Sequence, residues 1–119
     1  MATYSVALLS GSTDGDPIPV AATSTPGTTI HTATSGTTNF DEVYLWASNV
    51  TGTAATLTIE WGGTSDPGSL LVKAYPIPAN SLPIPIATGQ RLHNGGVIRA
   101  FSGTASAINI TGNVNRITA

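Results

Sequence analysis

A chain of 119 residues has room for one domain, able to bury about two-thirds of the surface it exposes when unfolded. It has no cysteine, which excludes disulfides, thiolate metal sites and thiol nucleophiles. Only 8% of residues are charged, against roughly a quarter in an ordinary domain, and the net charge of -2 with Lys73, Arg91, Arg99 and Arg116 dispersed excludes a basic footprint for nucleic acid.

Scarce charge does not imply disorder here, because hydrophobicity is not low and net charge is small. Thr, Ser, Ala, Gly and Asn dominate, with Val and Ile throughout, a composition that favours strands. No run approaches the roughly 20 apolar residues that span a bilayer. The apolar residues 6–9 lack the basic lead and the length of a signal-peptide core, so neither a membrane partner nor secretion is expected.

In chain order, residues 10–16 read as a polar loop and 17–22 and 28–34 as strands, with Ser24-Thr25-Pro26-Gly27 a turn between them. Residues 41–50 alternate: Val43, Leu45 and Ala47 on one face, Tyr44, Trp46 and Ser48 on the other, which predicts a strand covered on both sides. Residues 55–61 alternate again, with Leu57, Ile59 and Trp61 opposite Thr56, Thr58 and Glu60. The segment 49–54 between these strands predicts a hairpin with Gly52 at positive φ. Two glycines and Asp66-Pro67-Gly68 make 61–69 a loop, followed by a strand at 70–75. Pro76, Pro78, Pro83 and Pro85 lack amide hydrogens, so Ile77 and residues 82–86 read as edge strands or extended arms. Strands follow at 96–101, 106–110 and 113–117, divided by Ser102-Gly103-Thr104 and Thr111-Gly112 as turns. Eight to ten short strands at this spacing predict a single all-β domain over residues 1–119. A jelly-roll-like β-sandwich is expected, with a small β-barrel as the alternative and residues 1–38 and 75–86 as arms or edge segments.

Catalytic chemistry finds little footing. His31 and His93 have no metal spacing and read as partly exposed strand or turn residues. Asp41 and Glu42 are adjacent and point to opposite faces of a strand, so they cannot form the facing pair of a glycosidase. Glu60 predicts a cross-strand ion pair with Arg99 or Arg116. Asp14-Gly15-Asp16 is half a calcium loop without its glutamate and reads as a turn. No nucleophile elbow or phosphate-binding glycine loop is present, so no catalytic, metal or cofactor residues are assigned. Trp61 reads as core. Tyr44 and Trp46 have three readings: contact with another subunit, internal packing, or a sugar-stacking platform. With Tyr75, Ile77, Leu82 and Ile84 they are the interface candidates, because aromatic and apolar groups carry much of the energy of interfaces.

Residues 39–49, continuing to Leu57-Thr58-Ile59-Glu60-Trp61-Gly62-Gly63, and the stretch from Gly95 to Ile117 resemble small virion structural proteins of tailed bacteriophages, the capsid decoration (cement) class. The resemblance covers about two-thirds of the chain in texture and short phrases, without a diagnostic motif. It implies a β-rich, non-catalytic homotrimer on the capsid surface, assembled in the bacterial cytoplasm and bound to the major capsid protein. A carbohydrate-binding or host-adhesion module of the virion is the alternative.

Overall fold

A computed structural model describes residues 2–118. Nine strands form along it: β1 (Thr3–Leu8), β2 (Ile18–Pro19), β3 (Thr28–Thr32), β4 (Phe40–Asn49), β5 (Ala55–Trp61), β6 (Leu70–Ile77), β7 (Ile84–Leu92), β8 (Val97–Ser102) and β9 (Ile108–Thr118). Sheet A runs β1-β9-β4-β7, with the short β2 beside β1 along β9. Sheet B runs β3-β8-β5-β6, and every pairing is antiparallel. With β2 set aside, this is the strand order of a jelly roll, in which two interleaved Greek keys make two four-stranded sheets. The sheets keep open edges, so the architecture is the expected sandwich and not a closed barrel.

Alternation builds the core. Val43, Leu45 and Ala47 of β4 face Leu57 and Ile59 of β5, Ile98 and Ala100 of β8, and Ile110 and Val114 of β9 in one buried cluster. Trp61 is partly buried against the same cluster. Backbone hydrogen bonds tie the loops at each end of the sandwich. At one end Val50 N–H donates to Ala107 O, and Asn80 N–H donates to Thr51 O. At the other, Asn94 N–H donates to Gly36 O, and Gly62 N–H to Val97 O.

Several expectations need correction. Residues 49–54 are not a hairpin: β4 and β5 belong to different sheets, so the chain crosses the core edge there. Gly52 is not at positive φ. The crossing is held instead by Asn49, whose side-chain amide donates to Thr53 O and Ile77 O while its Oδ1 accepts from the Thr51 amide and hydroxyl. Thr111-Gly112 is no turn either, because β9 runs unbroken through it. Glycine is required there by close approach: a Cβ on residue 112 would lie 1.9 Å from the Tyr44 carbonyl oxygen. Of the two expectations for residues 1–38, arm or edge segment, residues 3–8 take the second as an edge strand, and β6 and β7 are edge strands as well. Finally, β4 is covered on one side only. Its Tyr44/Trp46 face is half-buried, with no further layer over it among the described residues.

Candidate protein-binding surface

Residues opposite each other in a ladder share a face, so the registers define the outer surface of sheet A row by row. One row reads Tyr4, Ile117, Phe40; the next Val6, Asn115, Glu42, Arg91; the next Leu8, Asn113, Tyr44, Thr88; the next Thr111, Trp46, Pro85; and the last Pro19, Asn109, Ser48. The edge strand supplies the most exposed apolar groups, Tyr4 at 68%, Val6 at 76% and Leu8 at 54%. The middle is a strip of Asn and Thr from β9. On its far side Tyr44 and Trp46 stack with ring centroids 6.5 Å apart and planes 18° from parallel. Stacking along one strand accounts for part of their burial. Gly89 of β7, at φ +104°, leaves space for the Tyr44 hydroxyl, which would lie 3.2 Å from a Cβ there.

The face is close to neutral. Its Glu42 and Arg91 neutralise each other across strands (3.0 Å), and the Arg91 guanidinium also covers the Phe40 ring at 4.6 Å. Phe40 and Arg91, with Leu92 and His93, line a shallow cavity of about 240 Å³ at this end. Toward the other end of the same edge strand, β7, the face continues around Pro85 into a second shallow cavity of about 260 Å³, lined by Val72, Tyr75, Pro85 and Ile86.

The six interface candidates therefore separate. Tyr44 and Trp46 share the outer face, and Tyr75 joins them by way of Pro85. Ile84 lies opposite Ala47 and packs against the core. Leu82 is 83% exposed but stands apart in the loop between β6 and β7. Ile77 is fully buried: it pairs with Ala55 at the end of β6 and joins the core. Its neighbouring prolines limit backbone pairing and say nothing of where its side chain points. Tyr4, Val6 and Leu8 escaped the sequence reading, although their every-second-residue spacing was the available signal.

The buried ionisable groups are bonded internally. The Ser10 amide donates to His31 Nδ1 (3.0 Å), so Nε2 carries the ring proton and donates to Asp41 Oδ2 (2.7 Å). Arg116, opposite Asp41 in the register, donates to both carboxylate oxygens at 2.8 and 3.0 Å. Burial opposes the charge on Asp41, but the hydrogen bonds from Arg116 and His31 and the charge of Arg116 outweigh it and hold its carboxyl below the ordinary value. His31 is thus a buried structural residue, not a half-exposed one. Glu60 forms no cross-strand ion pair with Arg99, its register partner. It is buried and accepts from the Thr25 hydroxyl and the Gly27 amide (2.7 Å), fastening the 24–27 turn over sheet B. Among the described residues no three His, Asp or Glu side chains gather as metal ligands, and Asp14 and Gly15 lie in a turn with positive φ.

Comparison with protein-family models, curated proteins and solved structures found no match.

Proposed function

We propose that this chain is a virion structural protein of a tailed bacteriophage, a capsid decoration protein that sits on the head and binds the major capsid protein. The observation that carries the reading is the outer face of sheet A: a broad, nearly neutral surface with stacked aromatics at one side and exposed apolar groups at the other. Such a surface loses little on dehydration and gains from burial, which suits lasting contact with protein. The sequence resemblance supplies the virion, and the jelly-roll order agrees with it at the level of fold analogy alone. The reading is non-catalytic, since Asp41, His31 and Glu60 serve as internal fastenings. The test is co-sedimentation of the purified protein with assembled capsids, with copies per capsid counted by imaging. Regular saturation at a symmetry-related number supports the proposal; failure to co-sediment sinks it.

One observation favours a second reading, the carbohydrate-binding or host-adhesion module. Tyr44 and Trp46 lie beside Asn113 and Thr111 in the ladder, an apolar plate next to amide and hydroxyl groups that suits the faces and edges of a sugar ring. Saturable binding on a glycan array, lost in Trp46→Ala, distinguishes it from capsid binding.

A further inference from the structure

We propose that two copies of this chain pair through β1, edge to edge and antiparallel, so that sheet A runs continuously through a twofold dimer. Among the described residues the sandwich has four sheet edges: β1 with the short β2 beside it, β7, β3 and β6. An open edge presents unpaired N–H and C=O groups that a further strand satisfies. Three of the edges carry devices against such pairing. On β7 these are Pro85, two register shifts and the positive φ of Gly89. On β6 they are Lys73, Pro76 and the irregular pairing around Ala74, itself at positive φ. The β3 edge is covered by the chain before it: Gly11 N–H donates to Ile30 O, and the Ser10 hydroxyl accepts from Thr32 N–H. β1 has no such protection. It reads Thr-Tyr-Ser-Val-Ala-Leu, with no charge, proline or glycine, and its register against β9 has no shift.

The pattern of β1 identifies the occupant as its own copy. Residues opposite each other must share a face, so even positions meet even positions. Centring the pair on Val6 sets Val6 against Val6, Tyr4 against Leu8 and Leu8 against Tyr4. The three exposed apolar side chains then run on across the axis, on the same face as Tyr44 and Trp46, with no charge opposing its counterpart. A head-to-tail contact would require β1 to meet one of the three protected edges, so the contact is isologous. The resemblance implies three copies; this edge builds two. An edge contact of six residues is small beside a standard specific interface, so the pair is a reversible one. The pairing stands independently of what the outer face binds.

Sedimentation equilibrium of the purified full chain up to about 200 µM is expected to show monomer and dimer in exchange. Val6→Lys sets two ammonium groups against each other at the axis and should raise the dissociation constant about tenfold or more. Val6→Glu should do the same, and mixing the two variants should restore a heterodimer, as a register that brings position 6 close to position 6 allows. Thermal melts at low concentration should leave both variants as stable as wild type. If either unfolds, amide exchange on the wild type replaces them: protection of the β1 amides must rise with protein concentration. A wild type that stays monomeric, forms a trimer, or shows no concentration-dependent protection overturns the proposal. So does a mixture of the two folded variants that stays monomeric.

Discussion

Replacing Asp41 with Asn tests the buried cluster of Asp41, His31 and Arg116. The side chain is fully buried and accepts three hydrogen bonds, two from Arg116 and one from His31. The amide retains a single acceptor oxygen and turns an NH₂ group toward one of these donors. Breaking a buried ion pair costs about 3–5 kcal/mol. Arg116 is 37% exposed and can regain water, so the expected cost is about 2–4 kcal/mol at neutral pH, or a fall in Tm of roughly 8–16 °C. The pH dependence has a definite sign. The folded-state pKa of Asp41 is depressed below its ordinary 3.8, so its contribution is full above that value and disappears as pH falls through the folded pKa. Melts followed by circular dichroism should show the wild type and Asp41→Asn far apart at pH 7 and converging below about pH 4. A variant melting within about 2 °C of wild type at pH 7, or a gap unchanged in acid, would falsify this account of the cluster.

Two further predictions concern β4, β5 and β9. Trp61→Ala removes a ring packed partly against the core and should cost about 2–4 kcal/mol, whereas Trp46→Ala should cost about 1 kcal/mol or less and weaken capsid binding; thermal melts beside a capsid-binding assay separate the two. Gly112→Ala drives a Cβ into the Tyr44 carbonyl and should cost about 2–4 kcal/mol by denaturant unfolding, so a neutral result contradicts the close approach of β4 and β9.

Alternation made the inward rows legible: those of β4 and β5 are the core, although Thr58 and Glu60 on the opposite side of β5 are buried as well. The errors come from residues whose meaning depends on a partner distant in sequence. Gly112 reads as a turn until Tyr44 is known to lie against it. Asn49 reads as the start of a hairpin until Ile77 and Thr53 are seen to receive its amide. Glu60 reads as half of an ion pair, but the turn at 24–27 folds back and supplies neutral donors. Of the candidate surface, parity set Tyr44 and Trp46 opposite the core row of β4, but it did not show that this side of the strand lacks a further layer. Alternation puts Tyr4, Val6 and Leu8 on one face of their strand, but that this is the face of Tyr44 and Trp46 follows only from the pairing of β1 with β9.

That β9 lies inside sheet A also governs how the chain reaches its fold. Its neighbours are β1 and β2 on one side and β4 on the other, so Thr118 meets Thr3 and Arg116 meets Asp41. No hairpin joins β9 to any of them. Each contact closes a loop of many tens of residues before it yields a single ladder bond, and chains dominated by such contacts fold on the millisecond-to-second scale, about a thousandfold or more slower than helical bundles. Until β9 arrives, β4 has one open side, and its row of Val43, Leu45 and Ala47 lacks the Ile110 and Val114 that flank it in the sheet. The unfinished sheet is therefore the species most exposed to aggregation during synthesis, and the arrival of the final strand ends that exposure.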